Sequence, residues 1–253
     1  MFGNNVSFSI NKTKRRFDAN ISKKRFYIPE EDRWVTLNVS DAVNTRRSIR
    51  GFLDTPVDNE LISQMLTKAA RAPSGGNLQP WRIYVVNGKR MGELQQFLET
   101  YEGKDKPEYT IYPPELKSPY RDSRFKVGED MYALLNIPRE DKAARFAHLA
   151  RNYTFFDAPA GFFCYIDRQM GPPQWSDLGM FLQTFMLLAV EAGLDTCAQE
   201  AWAMRAGAVS QFVGADEELM LFCGMAIGHR NPEAPVNNLV SDREPLENWA
   251  RFV

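Results

Sequence analysis

Two short segments of the chain carry residue types that could bind a phosphorylated, planar ligand. The first is Arg46-Arg47-Ser48-Ile49-Arg50, in which three arginines and a serine lie within five residues. Guanidinium groups grip phosphate oxygens through a planar fork, and in an extended turn positions 46, 48 and 50 point to the same side. An exposed cluster of salt bridges is the alternative interpretation of these arginines.

The second segment is the polar loop APSGGNLQPW at residues 72–81. Its two consecutive glycines permit backbone conformations that other residues avoid. The side chains of Ser74, Asn77 and Gln79 can hydrogen-bond the edge of a heteroaromatic ring. A plain connection between two elements is the alternative. Taken together, the two segments predict a site for a planar, phosphorylated cofactor.

Catalytic groups supplied by the protein itself are scarce. The chain has no GxGxxG fingerprint, no P-loop and no GxSxG elbow. Its only histidines, His148 and His229, have no second histidine or cysteine at metal spacing, so we expect no metal site and structural roles for both. This scarcity fits a cofactor that carries the chemistry.

The surrounding pattern predicts the elements that position these segments. One helix is predicted to begin at Asp41 with Ser40 as its N-cap, and a second to follow the N-cap Asp58. Three more are predicted over Met91–Leu98, Arg139–Arg151 and Trp175–Ala192, the last of which ends at the C-cap glycine Gly193. Strands are predicted over Trp81–Val86, Ala160–Ile166 and Met220–Ile227. Residues 101–128 show no period and are expected to be a long loop. Because helices and strands do not alternate strictly, the pattern favours an α+β fold with a mixed or antiparallel sheet.

Composition excludes several classes of protein. The 253 residues are 44% hydrophobic and 25% charged, with a formal net charge of −1, so no general attraction to nucleic acid or to a membrane is expected. The three cysteines form no CxxC pair, which indicates reduced thiols in a cytoplasmic protein.

The first 34 residues are more basic than the rest and are interpreted as an arm before a single domain at 35–253. Charge runs are usually solvated, so a partly disordered arm is expected. A nucleic-acid-binding arm and a segment that packs on a partner subunit are the alternatives. Nothing downstream resembles a nucleic-acid-binding module, so no nucleic-acid partner is predicted.

Four motifs, in order, resemble those of the FMN-dependent nitroreductase family. RRSIRGF is similar to its flavin-phosphate motif, and APSGGNLQPWRIYVV to the loop and strand beside the flavin ring. GLDTCAQEAWAMR is similar to the segment along the flavin edge, and GMAIGHRNPEAPVNNLVSDREPL to the final motif of a subgroup that reduces nitrobenzoates and dinitroaromatics. The resemblance covers about residues 39–246.

The resemblance implies an α+β nitroreductase-like fold, with a central sheet flanked by helices, built as an intertwined homodimer. Residues 229–253 would embrace the partner subunit. FMN would lie in clefts at the interface, and a backbone N–H near Glu200 would face flavin N5, so no side chain is assigned a catalytic role. Many members of the family have proline at the position of Ala198. The implied cofactor-binding residues are Arg46, Arg47, Ser48, Arg50, Pro73, Ser74, Asn77, Ala198, Gln199, Glu200, Ser241 and Arg243.

The implied reaction is a ping-pong cycle in which NADPH or NADH is the reductant and a small nitroaromatic compound is the acceptor. Reduction would proceed in two-electron steps from nitro to nitroso to hydroxylamine. Residues 101–156 are the variable substrate-side segment, in which Tyr109, Tyr120 and Phe125 could stack on the acceptor; core packing is the alternative for these rings. Quinone, enone or dehalogenating reduction, and FMN binding without NAD(P)H turnover, are the alternative functions.

Overall fold

The computed structural model of this chain divides into two compact units, Met1–Asp41 and Ala42–Val253. The structure describes residues 38–253 in full and, before them, only the backbone of four strands, β1 (Phe2–Val6), β2 (Lys12–Arg16), β3 (Arg25–Ile28) and β4 (Arg33–Thr36). β1 pairs with β2 and β3 with β4, both antiparallel. The predicted basic arm thus contains paired strands where it is described; its residues 1, 7–11, 17–24 and 29–32 lie outside the described residues.

The remaining elements follow in chain order. The helices are α1 (Val39–Thr45), α2 (Asn59–Ala69), α3 (Lys89–Thr100), α4 (Tyr120–Leu134), α5 (Lys142–Ala150), α6 (Pro172–Glu191), α7 (Ala206–Val213) and α8 (Leu246–Trp249). The strands are β5 (Arg82–Asn87), β6 (Ala160–Asp167), β7 (Asp195–Gln199) and β8 (Leu219–Gly228). Short 3-10 turns occur at Gly75–Asn77, Arg151–Asp157, Glu200–Arg205 and Pro235–Asn238.

The four strands of the second unit form one antiparallel sheet in the order β5-β6-β8-β7. Side chains alternate between the two faces of a strand. Along β6, Phe162 and Cys164 therefore join α2 and α6 on one face, while Phe163 and Tyr165 join α3 and α7 on the other. Both faces of the central strands are buried. The edge strands are β5 and β7, and the chain at Ser48 bridges to β7. The predicted α+β fold with its antiparallel sheet is confirmed.

Most of the predicted helix ends agree with the structure. The Asp58 side chain accepts the N–H of Glu60 at 3.0 Å and caps α2. Gly193 has φ +77° just after α6, the left-handed conformation that glycine adopts most readily after a helix. The predicted cap of α1 was wrong. Asn38 and Asp41 instead exchange hydrogen bonds between side chain and backbone at 3.0 and 3.2 Å, so Asn38 takes the place assigned to Ser40.

The prediction of a loop over residues 101–128 was wrong in its second part, because α4 begins at Tyr120. No residue of α4 is buried, so its sequence lacks the apolar stripe that indicates an amphipathic helix. The first part is irregular, and hydrogen bonds of Asp105 fix it to the start of α7. Asp105 accepts hydrogen bonds from Arg205 at 2.7 Å and from the Ala208 backbone at 2.9 Å.

Candidate functional site

The arginine segment, defined here as residues 46–52, runs beside the edge strand β7. The Ile49 N–H donates to the Thr196 carbonyl at 3.0 Å, and Ser48 forms a parallel bridge with Thr196. Ile49 is fully buried, whereas Arg46, Ser48 and Arg50 on either side of it are half-buried. The buried isoleucine thus anchors the segment on the sheet while its polar neighbours keep access to solvent.

The tail, defined here as residues 229–253, lies along the other side of the arginine segment. The Leu53 N–H donates to the His229 carbonyl, and the Asn231 N–H to the Gly51 carbonyl, both at 2.9 Å. Arg230 forms a bidentate ion pair with Asp195 of β7 at 2.6 and 2.7 Å. This hydrogen-bonded carboxylate raises the pKa of Arg230. The tail is therefore fixed to the same strand edge as the arginine segment.

The docked tail brings a fourth arginine to the first three. Burial lowers the pKa of Arg46, and the positive charge of Arg243 lowers it further, so the two guanidinium groups lie within electrostatic reach. Arg243 donates to the Ser241 hydroxyl at 2.8 Å and to two carbonyls of its own turn. Two cations held close together repel each other, and a bound anion would relieve that repulsion.

A buried thiol marks where the end of β7 meets this cluster. Burial raises the pKa of Cys197 to about 11, and the charges of Arg50, Glu200 and Arg46 also act on it. The arginine segment and the end of β7, predicted as separate parts of one site, therefore lie around the same side chain. Ala198, within β7, is half-buried, and Glu200, the first residue of the turn after β7, is exposed.

Two buried oxygens at β7 have no partner among the described residues. They are Thr196 Oγ1 and Gln199 Oε1. The Gln199 amide nitrogen is held by the carbonyl and side-chain oxygens of Asn152, at 2.9 and 3.2 Å, so the amide cannot turn freely. Buried polar atoms are normally hydrogen-bonded. Thr196, whose backbone pairs with Ser48 and Ile49, therefore leaves an unpartnered oxygen on the strand that carries the arginine segment.

The turn that carries Asn152 is strained. Phe155, Phe156 and Asp157 have φ of 52°, 54° and 66°, a region that costs a non-glycine residue on the order of 1–3 kcal/mol. Both phenylalanines are buried, and Phe155 packs on Trp202 at 4.8 Å between ring centroids. Packing therefore stabilises a turn whose effect is to hold Asn152 against Gln199.

The glycine loop, defined here as residues 73–80, is fixed by a different part of the fold. The buried Asp177 of α6 accepts the Gly75 N–H at 3.0 Å and lies 3.4 Å from the Ser74 hydroxyl. The Ser74 oxygen in turn accepts the Gln79 N–H at 2.8 Å. Pro73 and Asn77 are exposed, and Asn77 has φ +57°. Among the described residues, no hydrogen bond joins this loop to the arginine segment.

The three predicted substrate-side aromatics lie in different surroundings. Tyr109 packs on Trp175 and Phe222 and donates its hydroxyl to the Phe222 carbonyl, so its ring serves as core packing. Tyr120 and Phe125 lie on α4 and are 70% and 50% exposed. Those two remain available for contact with another molecule.

A cavity of about 930 Å³ separates α4 from the tail. Lys126 of α4 bridges Asp242 of the tail at 2.8 Å, and Arg124 stacks over Tyr112 at 4.0 Å. Arg243 also lines this cavity, so the predicted substrate-side segment and the predicted phosphate-binding tail border one space.

His148 is a buried residue of α5. Its ring packs between Tyr132 and Phe156, and it is 7% exposed with Nε2 unpartnered. Burial lowers the pKa of His148 to about 4, and the charges of Arg151 and Arg50 lower it as well. This histidine is therefore neutral at pH 7.

The structure thus joins the arginine segment, the end of β7 and the tail, and leaves the glycine loop apart. Sequence reasoning missed the residues that hold these pieces, because only the folded chain pairs them: Asn152, Asp177, Thr196 and Asn237. In the described part of the chain, no group of three or more His, Cys, Asp or Glu side chains could hold a metal ion. No helix there has the length and apolarity needed to cross a membrane.

The profile of the Nitroreductase family matches residues 43–229, and the chain belongs to this family. It is 35% identical to the 4-nitrobenzoate reductase of Pseudomonas putida over 212 residues, which is 83% of this chain and 93% of that protein. It also resembles the crystal structure of the FMN and NADPH-dependent nitroreductase NfnB from sphigopyxis sp. strain HMH. That similarity has a TM-score of 0.81 and 46% identity over 86% of this chain and 99% of that one.

The start of the chain is similar to a different family. The profile of the Ribosomal L28 family matches residues 1–49. Over 39 residues, 15% of this chain, the identity to the large ribosomal subunit protein bL28 of Christiangramia forsetii is 72%, and the match covers 49% of that protein. The expectation of no nucleic-acid partner concerned the sequence downstream of the basic arm, whereas this similarity lies in the arm itself and extends to residue 49.

Proposed function

We propose that the chain is an FMN-dependent oxidoreductase that uses NAD(P)H to reduce nitroaromatic compounds. The observation that carries the proposal is the electrostatic proximity of Arg46 and Arg243, in a segment that bridges to β7 through Ser48. A cation cluster suits a phosphate. The similarity to a 4-nitrobenzoate reductase and to an FMN and NADPH-dependent nitroreductase supports the same function.

The residues present fit FMN in two groups. Arg46, Ser48, Arg50 and Arg243 would hold the phosphate, with Ser241 orienting Arg243 through the 2.8 Å hydrogen bond. Residues 198–200, at the end of β7 and the start of the next turn, would lie along the ring, where a backbone N–H near Glu200 would donate to N5. When bound, FMN supplies a hydride acceptor and donor that the side chains of the chain lack.

The part played by the protein is to bind, orient and neutralise. Fixed cations stabilise negative charge that develops during electron transfer, because they need no reorganisation at that moment. Each two-electron step takes up two protons: nitro gives nitroso and water, and nitroso gives hydroxylamine. His148 is buried and neutral, so solvent water is the proton source in this proposal. The nicotinamide and the acceptor use the cleft in turn, which is a ping-pong cycle.

We further propose that two copies of the chain form the complete site. Asn77 of the glycine loop is exposed, and no hydrogen bond joins the described loop to the arginine segment of its own chain. In the proposed dimer, Pro73, Ser74 and Asn77 would reach FMN bound to the partner. Exposed apolar side chains favour a further interface: Phe146, Leu149, Trp249 and Phe252 are 72%, 55%, 68% and 94% exposed. A folded, FMN-loaded monomer in light scattering at micromolar concentration would contradict this shared cleft.

The redox proposal is tested by anaerobic reduction of the purified chain. The protein should be yellow, bleach on addition of NADPH without air, and regain colour on addition of 4-nitrobenzoate. Initial rates at several acceptor concentrations should give parallel lines in double-reciprocal plots. Colourless protein that ignores added FMN would contradict the proposal. Faster turnover of quinones or halophenols than of nitroarenes in the same assay would favour the alternative reductase functions.

A second candidate function concerns residues 1–49, and the bL28 similarity favours it. We propose that this segment contacts RNA. Met1–Asp41 holds eight Lys or Arg against five Asp or Glu, a net charge of +3, so the remainder of the chain carries −4 of the total of −1. Four of the five residues of β2 are cationic. Such a strand attracts phosphate backbones through a salt-dependent interaction.

The RNA proposal is tested with the full chain and structured ribosomal RNA. Binding should weaken steeply as salt rises, and replacing Lys12, Lys14, Arg15 and Arg16 with glutamate should abolish it while NADPH oxidation stays unchanged. Equal RNA binding by the wild type and the glutamate variant would contradict a role for β2. If neither protein binds RNA, the segment has another role.

A further inference from the structure

The side chain of Asn237 connects the tail to the arginine segment. Its oxygen accepts the backbone N–H of Arg50 at 2.9 Å. Its nitrogen donates to the carbonyls of Gly51 and Asn231 at 2.8 and 2.9 Å. Three hydrogen bonds converge on one amide, two of them to residues 186 and 187 positions earlier in the chain. Asn237 is 7% exposed, so water cannot readily replace these bonds.

The backbone at this junction approaches too closely for other arrangements. A Cβ atom on Gly51 would lie 2.6 Å from Cβ of Ala234 and 3.5 Å from Nδ2 of Asn237. Glycine at position 51 is what allows the tail to come within reach of the amide. An asparagine amide can accept and donate in one plane, so Asn237 pairs with Arg50 and Gly51 much as a neighbouring strand would.

The junction lies between the two halves of the cation cluster. Arg46 and Arg50 belong to the arginine segment, and Arg243 follows Asn237 six positions later in the tail. The charge of Arg243 acts on Arg46, and like charges push the two halves apart until an anion binds. The hydrogen bonds of Asn237 oppose that separation, because they hold the tail against Arg50 and Gly51.

We infer that Asn237 is a positioning residue of the phosphate site, which aligns Arg243 with Arg46 and Arg50 before FMN binds. The inference rests on the proposed function, since it takes the FMN phosphate as the anion. Asn237 does not touch the ligand in this assignment. Its effect is confined to the phosphate end, because none of its bonds reaches the turn at residues 198–200.

The test compares FMN with riboflavin, which lacks the phosphate. The dissociation constant of riboflavin divided by that of FMN measures how much the phosphate contributes to binding. Damage to the ring site or to folding changes both constants by the same factor and leaves this ratio unchanged. In Asn237→Ala we expect this ratio to fall at least about tenfold, with riboflavin affinity unchanged. The matched control is Asn238→Ala, since Asn238 is exposed and makes no side-chain hydrogen bond in the described structure; its ratio should equal that of the wild type.

Asn237→Asp provides the second variant in case the alanine variant does not fold. A carboxylate keeps the bond accepted from the Arg50 N–H but cannot donate to Gly51 and Asn231, so the ratio should fall here too. An unchanged ratio in a folded variant, or an equal loss of FMN and riboflavin affinity, would overturn the inference. Wild-type protein that binds neither flavin would overturn the proposed function instead, so the two failures are distinguishable.

Discussion

The arginine segment and the glycine loop are both short polar connections, but the fold holds them in different ways. The arginine segment lies between β7 and the tail and gains its fourth arginine from the same chain. The glycine loop is hydrogen-bonded to Asp177 of α6, and its Asn77 is exposed. The difference supports the proposed dimer, in which one half of the site is completed within a chain and the other half is offered to a second copy.

The largest expected effect is the loss of stability in acid caused by His148 of α5, whose pKa the charge of Arg50 in the arginine segment helps to lower. The pKa of His148 in the folded chain is about 4 against an ordinary value of 6.5, so folding favours its neutral form. Its contribution is present above pH 6.5 and is lost as the pH falls toward 4, by about 3 kcal/mol in the free energy of unfolding.

The measurement is urea unfolding at pH 7, 5.5 and 4. His148→Phe should flatten the loss of stability over this range, whereas His229→Asn, as the control, should retain it. An equal acid slope in the wild type and in His148→Phe would mean that other groups cause the loss.

The next effect tests the arginine segment itself. Arg46→Ala removes a half-buried cation and should weaken FMN binding by about 1.5 to 3 kcal/mol, the scale of a charge-assisted hydrogen bond. Fluorescence titration measures it, with the exposed Arg251→Ala as the control. If both variants bind FMN as the wild type does, the phosphate lies elsewhere.

The glycine loop is tested through Asp177 of α6, the buried side chain that accepts the Gly75 N–H. Asp177→Ala leaves the Gly75 N–H without its partner and should lower the free energy of unfolding by about 1 to 2 kcal/mol. Asp216→Ala is the control, because Asp216 is exposed. In a chain that forms the proposed dimer, the loop variant should also weaken FMN binding, although Asp177 lies outside the arginine segment. Loss of stability with full flavin affinity would place the loop outside the site.

The smallest effect sorts the aromatic side chains. Phe125 is half-exposed on α4, so Phe125→Ala should change kcat/KM for nitroarenes by about 1 kcal/mol through a lost stacking contact, with flavin content unchanged. Tyr109→Phe removes only the hydroxyl bond to Phe222 and should lower stability without altering the ranking of acceptors. The opposite pattern would exchange the roles of the two residues.

The sequence correctly predicted those elements whose ends or burial are determined by residues close to them in the chain. The cap at Asp58, the glycine after α6 and the apolar strands β6 and β8 were predicted because each signal lies within a few residues of the element it controls. Helix α4 was missed because it buries no face, and β7 because its five residues read as part of a motif instead of a strand.

The candidate site divides in the same way. The arginines were predicted from their spacing and from a family resemblance. The residues that align them were not predicted, since Asn237 pairs with Arg50 and Gly51, and Asp177 with Gly75, across more than a hundred positions of the chain. An asparagine in a proline-rich tail looks like an ordinary turn residue until the chain that it pairs with is in place.

The junction at Asn237 also sets an order of events during synthesis. Arg50 leaves the ribosome 187 residues before Asn237, and at 5–20 residues per second that interval lasts roughly 10 to 40 seconds. Throughout it, the first three arginines exist without the segment that aligns the fourth. In the proposed site, the phosphate of FMN would therefore be held at full strength only after the tail has been synthesised, so cofactor binding would be completed late in synthesis.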